Sequence, residues 1–262
     1  MATLTRPDGT KIFYKLVGKE TDKPPLLFIH GWCSRHEIWN NQVRHFRKNH
    51  QIILIDRRGH GRSTTNGCEH DAHGHARDIA AVTKTIGLKK LIAIGHAGGS
   101  PGTLEFIRAN PRLVSAGVMV DTYLYPKRKE SDKNHAFADL VESQITKLTG
   151  PKAKSAFRTW YTSFFDRRGD RAAIRKLVAD AGRVPDAVKV AELNGMLVDT
   201  AAIASEIQQP ILWLTADIAN QSYIRDHLRK VDFAQVYGAG HFPQWEQPAQ
   251  TNAMIESFLA RL

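Results

Sequence analysis

The chain has 262 residues, of which 42% are hydrophobic and 24% are charged, and its formal net charge is +11. A chain of this length and composition can bury one sizeable core, which excludes an intrinsically disordered protein. The positive charge does not by itself predict nucleic-acid binding, because Lys and Arg are scattered singly or in pairs among acidic residues. Even the densest basic run, residues 126–133, contains Glu130 and Asp132. We expect a solvated basic surface with some preference for anionic partners, and no nucleic-acid partner.

The cellular location is predicted from the first residues and from the cysteines. The polar start MATLTRPDGTKIFYK lacks the apolar stretch of a signal peptide, and no run of about 18 apolar residues occurs, so no membrane association is expected. Cys33 and Cys68 make neither a disulfide framework nor a C-x-x-C pair. Free thiols in the cytoplasm are therefore expected, with a bridge between the two cysteines as the alternative.

Short apolar runs rich in Ile, Val and Leu alternate with helical patterns along most of the chain. Asp8-Gly9 lies between two alternating segments and predicts a hairpin at the start. Six later runs predict buried strands, at 25–31, 51–56, 90–95, 115–121, 210–217 and 233–238. Apolar residues recur at helical spacing in four segments, at 36–49, 73–87, 103–111 and 248–262. This alternation predicts an α/β protein with a mostly parallel central sheet flanked by helices.

The alternation stops after Asp121 and resumes near Ala201. The interval contains helix-like stretches, including 135–150 and 154–169, but no convincing strand. We predict a helical lid at 122–201 over one edge of the sheet. Residues 1–121 and 202–262 then form the core.

The residues that follow the predicted strands carry the chemistry, because loops and helix N-termini converge at the carboxyl ends of parallel strands. Four stretches stand out by their order and spacing: FIHGWCSRHEIW, LIDRRGHGRS, GHAGGS and GAGHFPQWEQP. Together they resemble the α/β-hydrolase superfamily, in particular its esterases and lactonases, across nearly the whole chain. The resemblance implies the α/β-hydrolase fold and a Ser-His-Asp type mechanism. It also implies action on an ester, lactone or related acyl bond without a cofactor.

The stretch GHAGG, residues 95–99, matches the nucleophile elbow G-x-S-x-G except at its centre, where Ala97 replaces the nucleophilic serine. The resemblance makes His241 the general base. It assigns the oxyanion donors to the backbone N–H groups of Trp32 and Gly98. These backbone donors do not depend on the side chain at the centre of the elbow.

Two aspartates are candidates for the acid that orients His241. Asp217 ends the fifth buried strand, near the family's usual acid, whereas Asp121 ends the fourth, a position that some members use. The stretch TADIANQSY offers no acid beyond Asp217 itself, which slightly favours Asp121. His96, beside the centre of the elbow, either contacts substrate or packs within the elbow.

Aromatic residues are candidates for the substrate pocket. Trp160 and Phe164 have helical spacing in the predicted lid, so they either form its own core or turn toward the pocket. Tyr123 follows Asp121 closely and is a similar candidate at the pocket rim. A lining of this kind implies a small-molecule substrate with an apolar or aromatic portion.

The histidine-rich segment 69–77 is not predicted to bind a metal. His70 and His73 could share a helix face, but His75 falls out of that register, and no H-E-x-x-H frame accompanies them. In DRRGHGRS, His60 is interpreted as a structural residue. No metal site is expected.

Ala97 has three explanations, because a methyl group cannot attack a carbonyl carbon. The first, and the one predicted, is a Ser-to-Ala form of an otherwise complete hydrolase, which is inactive. The second is a cofactor-free 3-hydroxy-4-quinolone 2,4-dioxygenase, to which GWC-x-x-H and Trp160 show a more distant similarity. That resemblance implies a His-Asp pair that removes a substrate proton before the anion reacts with dioxygen. The third is a noncatalytic ligand-binding protein.

Overall fold

The computed structural model describes residues 1–129 and 135–262; residues 130–134, with Glu130 and Asp132 of the basic run, lie outside the described residues. Within the described part of the chain, the centre is an eight-stranded sheet in the order β1-β2-β4-β3-β5-β6-β7-β8. The strands are β1 Ala2–Thr5, β2 Lys11–Val17, β3 Leu26–Ile29, β4 Ile52–Ile55, β5 Leu91–His96, β6 Val114–Val120, β7 Ile211–Thr215 and β8 Val231–Gln235.

The predicted α/β fold with a mostly parallel sheet is confirmed. Strands β1 and β2 form the antiparallel hairpin expected around Asp8-Gly9, and β2 also runs antiparallel to β4. The remaining neighbouring strands, from β4 to β8 across the sheet, are parallel. Each of the six predicted buried runs overlaps a strand. The strand β5 ends one residue later than predicted, β6 begins and ends one residue earlier, and β8 begins and ends two to three residues earlier than the predicted run 233–238.

Helices cover both faces of the sheet. They are α1 Asn40–Phe46, α2 Ala72–Ile86, α3 Ser100–Ala109, α4 Ala136–Thr149, α5 Ala153–Thr162, α6 Arg171–Gly182, α7 Asp186–Gly195, α8 Thr200–Ser205, α9 Gln221–His227, α10 Pro243–Glu246 and α11 Pro248–Leu259. Successive strand residues point to opposite faces. Phe28 and Leu54 therefore join one apolar core with α1 and α11, while Leu27 and Ile53 join the other with α2 and α3.

Helices α4 to α7 lie between β6 and β7 in the sequence and pack on one another; we call them the inserted helices. The helix expected across 154–169 ends at Thr162. Ser163 Oγ–H donates to the carbonyl of Trp160 at 2.6 Å, and the Asp166 carboxylate accepts from Arg168 N–H at 2.7 Å. Such bonds between side chain and main chain compete with helix continuation, which explains the early end.

The structure bears on two predictions made from the sequence, the absence of a membrane-spanning segment and the state of the two cysteines. In the described ranges, no helix is long and apolar enough to cross a membrane. Cys33 is buried and Cys68 is exposed, and both are free thiols. The alternative of a bridge between them is wrong.

Candidate active site

A cavity of about 350 Å³ lies between the carboxyl ends of the central strands and the inserted helices. Its wall is mainly apolar and aromatic with a few polar groups, as is usual for small-molecule sites. All ten residues that the sequence predicts for the site line this cavity: Trp32, His96, Ala97, Gly98, Asp121, Tyr123, Trp160, Phe164, Asp217 and His241. The fold therefore brings the predicted residues together, and their chemical roles stay predictions.

Ala97 lies at the sharp turn between β5 and α3. Its φ angle is +47°, in the left-handed region that costs a non-glycine residue roughly 1–2 kcal/mol. The neighbouring glycines are required by close approaches: a Cβ atom at Gly95 would lie 2.4 Å from Thr103 Oγ1, and one at Gly99 would lie 2.3 Å from His30 O. The elbow is therefore built although the residue at its centre has no hydroxyl group.

His241 and Asp121 form a short hydrogen bond at the cavity wall. His241 Nδ1–H donates to Asp121 Oδ2 at 2.6 Å, and Ala216 N–H donates to Asp121 Oδ1 at 2.7 Å. Burial by itself would raise the pKa of Asp121, but these bonds and the nearby imidazole lower that pKa below its ordinary value. The ionised carboxylate fixes the imidazole tautomer in which Nε2 is the proton acceptor.

Asp217, the other candidate acid, lines the same cavity but is not hydrogen-bonded to His241. Its side chain is exposed, and its backbone carbonyl accepts from Thr215 Oγ–H at 2.6 Å, which forms a tight turn after β7. Of the two aspartates, Asp121 is the one within hydrogen-bond distance of the imidazole. The geometry therefore favours Asp121 as the orienting acid.

Trp32 and Gly98 bring two backbone segments together beside Ala97. A Cβ atom at Gly98 would lie only 3.2 Å from Trp32 N, so the two main chains approach closely. Gly98 also precedes the N-terminus of α3, where the helix dipole favours negative charge. Two N–H groups placed in this way suit the oxyanion of an acyl-transfer reaction.

His96 is buried beside the proposed base. Its Nε2–H donates to the backbone carbonyl of His241 at 2.7 Å, and its ring lies 5.0 Å from the ring of Phe242. Burial and the nearby His241 ring lower the pKa of His96 to about 3, so its imidazole is neutral. The contacts favour packing within the elbow over substrate contact.

Aromatic side chains form much of the cavity wall. The ring of Trp160 lies 4.9 Å from that of Trp32, and the ring of Phe164 lies 5.1 Å from the His241 imidazole. Tyr123 is 62% exposed, consistent with a place at the rim. Trp160 and Phe164 thus line the cavity as well as packing within the inserted segment.

Sequence reasoning missed Glu246, which organises the loop that carries His241. The Glu246 carboxylate accepts from the N–H groups of Asp166 at 2.7 Å, Gly240 at 2.9 Å and Phe242 at 3.4 Å. It thereby joins this loop to the segment after α5. The only signal in the sequence was an acidic residue five positions after His241, within GAGHFPQWEQP.

The histidine-rich segment is arranged differently from the prediction. His70 precedes α2 rather than belonging to it, and it meets His75 and Glu192 of α7, with potential ligand atoms within 4.8 Å of one another. The expected register was therefore wrong, and His73 does not join the group. Arg57 contacts the same Glu192 carboxylate. Its positive charge opposes a cation there, so we describe the group as a buried ion-pair cluster.

His60 has the contacts of a structural residue. Its Nδ1–H donates to Arg58 O at 2.9 Å, and its Nε2 accepts from Cys33 N–H at 3.3 Å. Arg58 in turn makes two hydrogen bonds to Asp78, at 2.7 and 2.8 Å. The loop after β4 is thus tied to the loop after β3 and to α2.

An elbow between a buried strand and a helix, with a His-Asp pair beside it, is the arrangement of the α/β hydrolases. The family model described as "Alpha/beta hydrolase family" matches residues 26–254, and the chain belongs to this family.

Proteins similar to this chain include a chloroperoxidase, an esterase and a lactonase. The chain is 38% identical over 136 residues to a non-heme chloroperoxidase of Streptomyces lividans, an alignment that covers 51% of this chain and 49% of the relative. The chain thus spans about half the length of this curated relative. Its fold matches an esterase from Exiguobacterium antarcticum with a TM-score of 0.87, at 15% identity and 98% coverage of each chain. It also matches an enol-lactonase from Burkholderia xenovorans with a TM-score of 0.85, at 13% identity, covering 99% of this chain and 100% of the other.

Proposed function

We propose that this protein has the site of a hydrolase for an ester or lactone bond of a small, largely apolar molecule, in a form that lacks its nucleophile. The observation that carries the proposal is the 2.6 Å bond between His241 and Asp121 in a cavity that Ala97 also lines. A base, an orienting acid and a strained elbow are all present. Only the hydroxyl group is missing.

The chemistry follows from these positions once a hydroxyl group stands at the elbow. Nε2 of His241 accepts the hydroxyl proton while the oxygen attacks the carbonyl carbon, and Asp121 stabilises the imidazolium that forms. The N–H groups of Trp32 and Gly98 receive the oxyanion. His241 then returns the proton to the leaving alcohol, and water releases the acyl group by the same route. With Ala97 the reaction cannot begin, because no hydroxyl oxygen is present to attack the carbonyl carbon.

The cavity defines the class of substrate. Its volume of about 350 Å³ suits a small molecule, and its described lining residues include no Lys or Arg. A neutral ester or lactone with an aromatic or short apolar portion therefore fits better than an anionic substrate. We also propose that residues 122–201 act as a lid over a core formed by 1–121 and 202–262. The esterase and lactonase names among the structural neighbours support this class of reaction.

The decisive experiment is the Ala97→Ser variant, with Ala97→Gly as a matched control that also changes the elbow but adds no hydroxyl. We expect the serine variant to hydrolyse p-nitrophenyl butyrate with a kcat on the order of a millionfold above that of either other form. Calorimetry with an uncleaved ester should give similar affinities for the alanine and serine forms, because the nucleophile acts in the transition state. Rapid hydrolysis by the unchanged chain would contradict the proposal.

A second candidate uses the His241-Asp121 pair without a serine. The observation that favours it is that the pair is intact although Ala97 has no hydroxyl to deprotonate. The pair would remove a hydroxyl proton from a 3-hydroxy-4-quinolone, and the anion would react with dioxygen. Oxygen consumption by the unchanged chain that is lost in His241→Ala would establish this chemistry. Binding without turnover in both the alanine and serine forms would instead indicate a ligand-binding protein.

A further inference from the structure

Helix α7 is connected to both of the residues whose backbone N–H groups would receive the oxyanion. The indole N–H of Trp32 donates to the carbonyl of Lys189 in α7 at 3.0 Å. Arg57 Nη1–H donates to the carbonyl of Gly98 at 2.9 Å, and the same guanidinium is ion-paired with Glu192 of α7. The two donors thus share one supporting helix.

The ion pair between Arg57 and Glu192 is deeply buried. Arg57 is 3% exposed and Glu192 is 1% exposed. The carboxylate also accepts a hydrogen bond from His70 Nδ1–H at 3.3 Å, and it lies 2.8 Å from His75 Nε2 without a hydrogen bond to that atom. A buried guanidinium is costly unless it is paired and hydrogen-bonded, which holds Arg57 in one place.

The main chain of Arg57 is held as well. Its backbone N–H donates to His30 Nε2 at 2.9 Å, so the guanidinium projects from a fixed backbone position. Gly98 and Gly99, by contrast, are consecutive glycines with many accessible backbone conformations. The hydrogen bond from Arg57 to the Gly98 carbonyl fixes the peptide group between Gly98 and Gly99. Through the Gly98 Cα atom it also restrains the preceding peptide group, which carries the Gly98 N–H.

We propose that Arg57, clamped by Glu192, is a positioning residue that aligns the Gly98 N–H for the oxyanion. The inference rests on the proposed function, since it takes Gly98 as an oxyanion donor. In this proposal α7 does more than cover the cavity: its Glu192 holds Arg57, and Arg57 in turn holds the backbone of Gly98. Displacing α7 from the core would misalign this donor.

The first test keeps Ala97 and measures hydrogen exchange, so it does not require a catalytically active protein. In Arg57→Met/Glu192→Gln, both charges are removed together, while the glutamine oxygen can still accept the hydrogen bond from His70. We expect amide hydrogen exchange in 97–100 to become at least about tenfold faster, with α7 and β5 unchanged. The control is Arg35→Gln/Asp180→Asn, which removes a more exposed ion pair, of 3.2 Å, between the loop after β3 and α6 and should leave this segment unchanged.

The second test measures kinetics in the Ala97→Ser background. The Arg57→Met/Glu192→Gln pair should lower kcat about 100-fold and leave KM within about twofold, because misalignment acts mainly on the transition state. Arg57→Lys keeps a charge for Glu192 but lacks the planar fork that reaches Gly98, so we expect the same kcat defect in a folded protein. This variant decides the question if the double variant does not fold.

Two results would overturn the proposal. One is unchanged exchange and unchanged kcat in folded Arg57→Met/Glu192→Gln or Arg57→Lys, and the other is an equal loss in the Arg35→Gln/Asp180→Asn control. If Ala97→Ser hydrolyses no ester, the proposed function fails and the exchange measurement still decides whether Arg57 positions Gly98.

Discussion

Two non-glycine residues of the site, Ala97 and Asp121, have positive φ angles, of +47° and +45°. Each such conformation costs on the order of 1–3 kcal/mol and persists only where the surroundings enforce it. Near Ala97, Gly99 lies so close to His30 O that it has no room for a Cβ atom. At Asp121 the backbone N–H donates to Leu214 O, and the carboxylate accepts from Ala216 N–H. One strained residue is thus the centre of the elbow and the other is the acid of the His-Asp pair, which agrees with the proposed site.

The position of the elbow could be predicted from the sequence, but the sequence did not determine whether Asp121 or Asp217 orients His241. The glycines around Ala97 signal a sharp turn locally. Asp121 and Asp217 both end buried strands, and nothing within either segment states which carboxylate faces His241. That outcome depends on a contact between neighbouring strands: Asp121 N–H donates to Leu214 O at 2.7 Å and continues the pairing of β6 with β7.

The choice of acid can be tested by Asp121→Asn in the Ala97→Ser background. An asparagine has a single acceptor oxygen, which Ala216 N–H would hold at the Oδ1 position, so the amide NH2 would face His241 Nδ1. That arrangement favours the wrong imidazole tautomer, and kcat should fall by a factor on the order of 10⁴. Asp217→Asn is the matched control and should change kcat by less than about threefold. Both values of kcat are measured by ester hydrolysis at saturating substrate. An equal decrease in kcat in the two variants would contradict the assignment of Asp121 as the orienting acid.

At the scale of elements, strand and helix alternation could be predicted, whereas the packing of the inserted helices could not. Buried strands and amphipathic helices carry their periodicity locally. The pairing of Arg57 with Glu192 joins residues far apart in the chain, and no local pattern signals it. The early end of α5 likewise depends on side-chain bonds such as that from Ser163 to Trp160.

The loop that carries His241 depends on Glu246 in α10. Glu246→Leu would remove the acceptor of three backbone N–H groups, and each one left unpaired costs about 1–3 kcal/mol where it is buried. We expect the free energy of unfolding to fall by roughly 2–4 kcal/mol in urea titrations. The same substitution at Glu256, whose side chain is 58% exposed, is the control and should cost under about 1 kcal/mol.

At the scale of the molecule, five buried histidines among the described residues have lowered pKa values: His30, His60, His70, His75 and His96. Burial is the main cause in each, because a charged imidazole is poorly solvated in the interior. The hydrogen bonds agree with neutral rings. His30, for example, donates from Nδ1 to Gly31 O and accepts at Nε2 from Arg57 N–H. His96 is hydrogen-bonded to the backbone of His241, and His30 and His70 are hydrogen-bonded to Arg57 and Glu192 respectively.

These histidines predict that the protein loses stability as the pH falls below about 6.5, the ordinary histidine pKa. In the folded protein the pKa is lowered to about 3 in His60 and His96 and to about 4 in His70. Between pH 6.5 and 4 the unfolded chain therefore binds protons that the folded chain does not. The free energy of unfolding then falls with decreasing pH. For each such histidine the slope is about 0.7 kcal/mol per pH unit near pH 6.5 and approaches about 1.4 kcal/mol per pH unit below about pH 5.5.

Urea unfolding at pH 7.5, 6.5 and 5.5 measures this dependence, and His60→Gln tests its origin. Glutamine can donate to Arg58 O and accept from Cys33 N–H as the neutral imidazole does, but it does not titrate. The variant should therefore lose about 1 kcal/mol of the decrease in stability between pH 6.5 and 5.5, whatever its stability at neutral pH. His45→Gln, at an exposed position on α1, is the matched control and should keep more of the slope. A free energy of unfolding that stays constant from pH 7.5 to 5.5 would contradict neutral burial of these histidines.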